Sequence, residues 1–227
     1  MRRLVFLVEG RSEEQFINQR LIPYLSEQEG LQGIPMHAQL LMTNRKKSIR
    51  GGNVSFGKFA NEVRNIARKG DVLITTMIDF FRLPADFPGY TTDSRQVDMV
   101  EVAIREALAC DVDPSFFLPY IQLHEFEALL FSSMEGFEAI VDDGKVLSQL
   151  EEIVEGYANP EDINGGAETA PSKRLSHIFH YEKVADSLLA LSAIPIDTIR
   201  AKCPRFDRWV KQLEEGVREE HFHHSFI

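Results

Sequence analysis

The sequence predicts an α/β fold in which a mostly parallel sheet is flanked by helices and followed by a C-terminal helical extension. Over residues 1–131, short apolar runs that end in acidic residues alternate with helical patterns, an order typical of βαβ units. Over residues 132–227, strand signals fade and helical patterns follow one another. We therefore expect an α/β core at residues 1–131 and a helical extension at residues 132–227 packed on the core.

The predicted elements of the core follow in a regular order. Leu4–Val8 is a continuous apolar run, as in a strand buried on both faces. The spacing of Ser12 and Gln15 predicts a capping box at the start of the first helix. The further predicted strands are Met36–Met42, Asp71–Asp79 and Phe116–Leu123, and the further helices are Phe56–Lys69, a segment from Ser94 to about Ala109, and Glu125–Phe131.

The extension contains helical patterns separated by polar turns. Asn159–Pro171 is rich in turn-forming residues and is predicted to be a loop. The predicted helices cover residues 133–141, 145–156, 172–191, 195–202 and 204–216.

The chain of 227 residues is acidic, with a net charge of −10. Acidic proteins repel nucleic acid at long range, so binding nucleic acid requires a local basic patch, a metal ion or a basic partner. Cys110 and Cys203 do not have the spacing of a metal site. The apolar run Leu4–Val8 is too short for a signal peptide or a membrane span. We expect a cytoplasmic protein that has no membrane contact.

Acidic residues follow three of the predicted strands. Glu9 follows the first strand with Glu13 one helical turn beyond it, Asp79 ends the third strand, and Glu125 and Glu127 follow the fourth. Ligands of open parallel sheets bind beyond the carboxyl ends of the strands, and Mg²⁺ prefers carboxylate oxygens. Acids on neighbouring strands would therefore converge on one or two ions. Taken singly, each acid also fits a helix start or a turn cap.

Two groups of basic residues are candidates for contacts to phosphate. Arg45 and Lys47 lie in a predicted polar loop, Asn44–Asn53, and Lys173 and Arg174 open a predicted helix. Contacts from Arg and Lys to phosphate provide much of the affinity of proteins for nucleic acid. Solvated surface charges are the alternative interpretation of both groups.

Four stretches of the chain resemble a bacterial family. They are VEGRSEE from Val8, MIDFFRLPADFPG from Met77, HEFEALLFS from His124 and NPEDINGGAETAPSKRL from Asn159. These stretches span nearly the whole chain and resemble the domain-of-unknown-function family 4276. Two longer segments, VEGRSEEQF and TTMIDFFRLPADFPG, also resemble the Toprim-type catalytic domain of topoisomerases, primases and related nucleases.

The Toprim resemblance implies a Toprim-like core that performs phosphodiester chemistry with Mg²⁺ or Mn²⁺. Glu9 matches the first-strand glutamate, which is a metal ligand and a general acid or base. Glu13 matches the second acid of nuclease-type members, and Asp79 matches the first aspartate of an Asp-x-Asp motif. Phe81 stands where the second aspartate is expected. Asp86, or one of the acids after the fourth strand, would then complete the site.

The function that the resemblance implies is a metal-dependent nuclease acting beside an ATPase in phage defence. Its catalytic residues would be Glu9, Glu13 and Asp79, and its metal ligands Glu9, Asp79, Glu125 and Glu127. The expected partners are DNA or RNA, an ATPase protein and a second copy of the chain. The missing second aspartate and the acidic charge favour an alternative, a degenerate Toprim-like binding or regulatory module that acts through the ATPase. A small-molecule phosphohydrolase that uses the same acids is a third interpretation.

Overall fold

A computed structural model describes residues 3–44, 49–50, 54–163, 166 and 168–223. The chain forms two compact units. The first unit is Met1–Ile121 with Trp209–Ile227, and the second unit is Gln122–Arg208. These units do not test the predicted domains, residues 1–131 and 132–227, which remain a prediction.

A parallel sheet forms the centre of the first unit. The strands are β1 (Arg3–Val8), β2 (Met36–Leu40), β3 (Met42–Asn44), β4 (Ile49–Arg50), β5 (Val72–Asp79), β6 (Phe117–Leu118) and β7 (Ile121–Gln122). The strand order is β2–β1–β5–β6, and β7 also pairs with β5. The β1–β2, β1–β5 and β5–β6 pairs are all parallel, whereas β3 and β4 form a separate antiparallel pair.

Helices flank this sheet and dominate the second half of the chain, so the predicted α/β fold with a C-terminal helical stretch is confirmed. In the first half, the helical segments are α1 (Arg11–Phe16), the π-helical turn Ile17–Leu21, α2 (Ile22–Glu27), α3 (Phe56–Ala67), the 3₁₀ turn Ser94–Gln96, α4 (Val97–Leu108) and the 3₁₀ turn Pro114–Phe116. In the second half they are the 3₁₀ helix Phe126–Ser132, α5 (Met134–Glu138), α6 (Gly144–Gly156), the 3₁₀ turn Pro160–Asp162, α7 (Pro171–Ile178), α8 (Lys183–Ala193), α9 (Ile196–Lys202) and α10 (Pro204–His223).

The two central strands, β1 and β5, are buried over nearly their whole length. β1 is apolar at successive positions because both of its faces are covered. β5 carries two buried hydroxyls in its middle, Thr75 and Thr76, and both are hydrogen-bonded. Thr75 Oγ1 donates to the carbonyl of Leu118 at 2.7 Å, and Thr76 Oγ1 accepts from the backbone N–H of Tyr120 at 2.8 Å. These bonds remove the cost of burying polar groups in the sheet.

Trp209 in α10 anchors the last helix to the sheet of the first unit. Its ring stacks on Tyr120 with centroids 4.3 Å apart and meets the edge of Phe6 at 6.0 Å. Its Nε1–H donates to Thr75 Oγ1 at 2.8 Å. Phe6 and Thr75 are register partners and therefore share one face of the sheet. That face is the one that Trp209 covers.

Several local predictions differ from the structure. The predicted loop Asn44–Asn53 contains β4 (Ile49–Arg50), which pairs with β3. The first helix begins at Arg11 with Gly10 as its N-cap and has no side-chain cap, so the Ser12 capping box was wrong. The predicted strand Phe116–Leu123 is instead two short strands, β6 and β7, because Pro119 between them has no N–H for a ladder. The predicted helix at 172–191 is interrupted between α7 and α8, where Phe179 has an extended backbone (φ −150°).

No helix among the described residues is both long enough and apolar enough to cross a membrane.

Candidate metal and phosphate site

The carboxyl edge of the β1–β5 pair brings two of the predicted acids together. Val8 is the register partner of Met77 in this parallel pair. Glu9 directly follows Val8, and Asp79 lies two residues beyond Met77. One strand spacing of ~4.8 Å and two residue rises of ~3.3 Å separate the Cα atoms of Val8 and Asp79 by roughly 8 Å, so Glu9, the next residue, has its Cα atom within roughly 12 Å of that of Asp79. Both residues are half-buried, although the strands that lead to them are buried.

The way β1 ends decides whether these two side chains can face each other. If β1 continued as a regular strand, Glu9 would share a face with Ile78, and Asp79 would point to the other face. β1 ends at Val8, however, and Glu9 and Gly10 form a bend. The bend releases Glu9 from the alternation of the strand, and the chain then enters α1.

Glu13 lies beside the same bend. Its side chain is 4% exposed, and its carboxyl group packs against Gly10. A Cβ atom at position 10 would lie only 3.1 Å from Glu13 Cδ, which is too close for an unshifted side chain. The glycine therefore makes room for the Glu13 carboxylate at the bend. The first unit thus holds all three residues predicted to be catalytic, Glu9, Glu13 and Asp79, at one edge of its sheet.

The donor set at this edge suits one hard cation. Among the described residues, no three His, Cys, Asp or Glu side chains are grouped so that protein atoms alone could hold a metal ion. Mg²⁺ is usually held by one or two carboxylates, with water and substrate phosphate supplying the remaining ligands. Glu9 and Asp79 could supply two such carboxylates for one ion, and Glu13 lies beside the same bend.

Asp86 is the residue that the sequence offered in place of the missing second aspartate. It is exposed, and its Oδ2 accepts the backbone N–H of Phe56 at 2.9 Å. Phe56 is the first residue of α3. Asp86 thus satisfies a free N–H at a helix start, and this contact accounts for an acid at position 86 without any metal.

Glu125 lies in the second unit and is held by α7. Its two carboxylate oxygens accept hydrogen bonds from Ser172, one from the backbone N–H at 2.9 Å and one from the hydroxyl at 3.0 Å. Ser172 is the second residue of α7, where backbone N–H groups lack partners inside the helix. Glu125 therefore stabilises the start of α7. Its assignment as a metal ligand stays a prediction.

Glu127 forms a buried ion pair in the same unit. Its side chain is fully buried, and Lys183 Nζ lies 2.8 Å from its Oε1, while the lysine itself is 47% exposed. Burial raises the pKa of Glu127, and the charge of Lys183 opposes that rise. Burial also raises the pKa of the Tyr181 hydroxyl, and the nearby charges of Glu127 and Glu125 add to that rise. The ion pair gives Glu127 a structural role, and its assignment as a metal ligand is untested.

The predicted basic residues have different surroundings. Lys173 is exposed on α7. Arg174 donates from Nε to the carbonyl of Thr169 at 2.8 Å, and its guanidinium lies 5.6 Å from the centre of the Tyr157 ring. Arg174 therefore stabilises the turn before α7. Arg45 and Lys47 lie outside the described residues.

Sequence reasoning missed Glu161, which caps α10 from a distance. Glu161 is fully buried, and its carboxylate accepts the backbone N–H groups of Arg205 at 2.8 Å and Phe206 at 3.1 Å. Burial raises the pKa of Glu161 to about 7, against the lowering effect of these two donors. No sequence signal joins a glutamate in a turn-rich loop to a helix start 44 residues later.

One family model matches the chain over residues 8–214, and its description is "Domain of unknown function (DUF4276)". The curated proteins and the solved structures give no significant match. The matched segment includes both strand ends that carry Glu9 and Asp79.

Proposed function

The chain belongs to the DUF4276 family, and we propose that it is a Toprim-like nuclease that uses Mg²⁺ or Mn²⁺ at the carboxyl edge of β1 and β5. The observation that carries the proposal is the parallel β1–β5 pair, whose register brings Glu9 and Asp79 to neighbouring strand ends. The carboxyl group of Glu13 against Gly10 adds a third acid to that edge. Such an edge is where open parallel sheets bind ligands.

Each acid has a distinct task in this proposal. Glu9 and Asp79, both half-buried, would hold the ion and keep one side accessible to a phosphate. Glu13 is almost fully buried, so it would act through its charge and fix the position of the ion relative to the β1–α1 bend. A bound Mg²⁺ or Mn²⁺ would neutralise phosphate charge and lower the pKa of a bound water.

The roles of Glu125 and Glu127 as metal ligands stay predictions, and the proposed site does not depend on them. Each has a partner in the second unit that explains its position, Ser172 for the first and Lys183 for the second. A setting in phage defence, a cytoplasmic location, an ATPase partner and a homodimer are further parts of the proposal. The phage-defence setting, the ATPase partner and the homodimer follow from the resemblance to Toprim-type proteins.

Variants at the carboxyl ends of β1 and β5 test the proposal. Asp79→Asn and Glu9→Gln should abolish Mn²⁺ binding in calorimetry and Mg²⁺- or Mn²⁺-dependent cleavage of labelled DNA and RNA. Asp71→Asn is the matched control because Asp71 is an exposed acid immediately before the opposite end of β5. It should bind Mn²⁺ and cleave like the wild type. Unchanged cleavage by both purified site variants would refute the assignment.

A regulatory module is the second candidate, and Phe81 favours it. Phe81 stands where Toprim-type nucleases carry their second aspartate, and Arg82 covers its ring at 5.1 Å. A site with fewer acids would bind metal weakly and act through a partner. A wild-type protein that binds no Mn²⁺ at millimolar concentration, yet binds a partner ATPase, would favour this candidate over the nuclease.

A further inference from the structure

A tight turn directly after Asp79 presents an arginine in an unusual conformation. The backbone N–H of Leu83 donates to the carbonyl of Phe80 at 3.1 Å and closes the turn. Phe80 and Leu83 are both buried and anchor it, whereas Arg82 is exposed. Arg82 has φ = +66°, at the turn position that favours glycine or asparagine. An arginine here costs backbone strain that a glycine would avoid.

The fold itself makes little use of the charge of Arg82. Its guanidinium lies 5.1 Å from the centroid of the Phe81 ring, which orients the side chain. It forms no ion pair with any carboxylate of the described residues. Arg82 is three residues beyond Asp79, so chain geometry keeps the two Cα atoms within roughly 11 Å. An oriented cation therefore remains available close to the proposed metal site.

The other acidic strand end is also followed by an arginine. Arg11 comes two residues after Glu9 as the first residue of α1, and it is exposed. A cation at a helix start is disfavoured by the helix dipole. Arg11 makes no ion pair within the part of the chain that the structure describes. Each strand end of the candidate site therefore presents an acid and, just beyond it, a guanidinium.

We propose that Arg82 and Arg11 bind phosphates on either side of the reacting one, so that the substrate is a nucleic acid strand rather than a mononucleotide. This inference rests on the proposed function and specifies its substrate class. The chain has a net charge of −10 and repels a polyanion unless cations stand at the site itself. Two guanidiniums, each suited to phosphate oxygens, follow β1 and β5, and so they match two phosphates of a nucleic acid better than the single phosphate group of a mononucleotide.

Arg82→Gly is the sharpest test because glycine accepts the positive φ of the turn, so the guanidinium is removed without added backbone strain. Binding of a fluorescein-labelled oligonucleotide is measured by anisotropy in EDTA, which prevents cleavage, over a range of salt concentrations. Loss of one phosphate contact should lower the slope of log K against log salt by about 0.7–0.9 and weaken binding about sixfold at 0.1 M salt. Arg11→Gln should have a similar effect.

Arg68→Gln is the matched control. Arg68 is exposed after α3, close to the amino end of β5 and so at the opposite edge of the sheet. It should bind the oligonucleotide with the affinity and salt slope of the wild type. A nucleoside monophosphate at the same phosphate concentration should displace the probe far less than an unlabelled ten-nucleotide strand.

Three results would overturn the inference. They are wild-type affinity and slope in both Arg82→Gly and Arg11→Gln, an equal loss in Arg68→Gln, and equal displacement by mononucleotide and strand. Mn²⁺ binding separates this inference from the nuclease proposal, since Arg82→Gly should bind Mn²⁺ like the wild type. A protein that holds the strand through Arg82 but binds no Mn²⁺ keeps the inference and loses the nuclease.

Discussion

Replacing Thr75 with valine tests how α10 is held on the sheet of the first unit. Thr75 Oγ1 accepts the Nε1–H of Trp209 at 2.8 Å and donates to the carbonyl of Leu118 at 2.7 Å. Valine has nearly the same shape but offers neither group. The indole N–H is then left buried beside a methyl group, since Trp209 is 1% exposed. The stacking of Trp209 on Tyr120 should survive because valine leaves the volume unchanged.

The expected loss follows from the two hydrogen bonds. A buried donor that loses its acceptor costs about 1–3 kcal/mol, and the weakened contact to the Leu118 carbonyl adds about 1 kcal/mol. The free energy of unfolding of the first unit should therefore fall by about 2–4 kcal/mol. With a urea m-value of about 2–3 kcal/mol/M, the midpoint should move down by about 1 M.

The assay uses a natural probe, because Trp209 is the chain's one tryptophan and lies in the first unit. Urea unfolding followed by its fluorescence reports on that unit. Thr92→Val is the control, because Thr92 is exposed and should shift the midpoint by less than about 0.2 M. A shift for Thr75→Val no larger than that of the control would show that the Trp209–Thr75 bond does not hold α10.

Three further predictions concern buried carboxylates. Lys183→Met leaves Glu127 buried without its cation and should lower the unfolding free energy by about 2–4 kcal/mol, measured by circular dichroism in urea. Adding Glu127→Gln to this variant should recover most of the loss. The pKa of Glu161 is raised to about 7 in the folded protein, so Glu161 contributes stability that is complete below about pH 4.5 and lost as the pH rises through 7. The unfolding free energy of the wild type minus that of Glu161→Gln should therefore fall by up to about 3 kcal/mol between pH 5 and pH 8. Gly10→Ala should displace the Glu13 carboxylate and weaken Mn²⁺ binding several-fold in calorimetry while the fold is kept.

The chain offers comparisons for each of these variants. Glu182→Gln changes an exposed acid next to Lys183 and should leave the unfolding free energy within about 0.5 kcal/mol. Glu151→Gln, at an exposed glutamate of α6 in the same unit, should keep the wild-type pH profile. Gly57→Ala has open space around its Cβ and should bind Mn²⁺ like the wild type. The first prediction is contradicted if the double variant at Glu127 and Lys183 is as unstable as Lys183→Met. The second is contradicted if the stability difference between wild type and Glu161→Gln does not change with pH, and the third if Gly10→Ala binds Mn²⁺ with full affinity.

The central strands could be predicted because their cause is local. Leu4–Val8 and Asp71–Asp79 were predicted as strands from their apolar and β-branched residues, and the structure has strands at Arg3–Val8 and Val72–Asp79. The acids at their ends were visible for the same reason, since a carboxylate directly after a buried run marks the edge of a sheet. The start of the first helix was harder, because Gly10 takes the N-cap position and Ser12 is buried instead.

The surroundings of the other predicted acids could not be read from the sequence. The pairing of Glu127 with Lys183 and the binding of Ser172 by Glu125 join residues that are distant along the chain. Periodicity reveals which side chains are buried, but it does not reveal which distant group satisfies a buried charge. The conformation of Arg82 is likewise invisible, because the turn sequence around it contains no glycine or asparagine at that position.

The first unit is assembled from both ends of the chain, with Trp209–Ile227 returning to Met1–Ile121. During synthesis, the aromatic surface of Phe6 and Tyr120 therefore leaves the ribosome long before the indole that covers it. All residues of the second unit are synthesised before Trp209, so the second unit can fold before the first unit is complete. Because closing a long loop costs entropy, we expect the docking of α10 to be a late step of folding. A fragment that stops at Ile121 would expose this aromatic surface and aggregate.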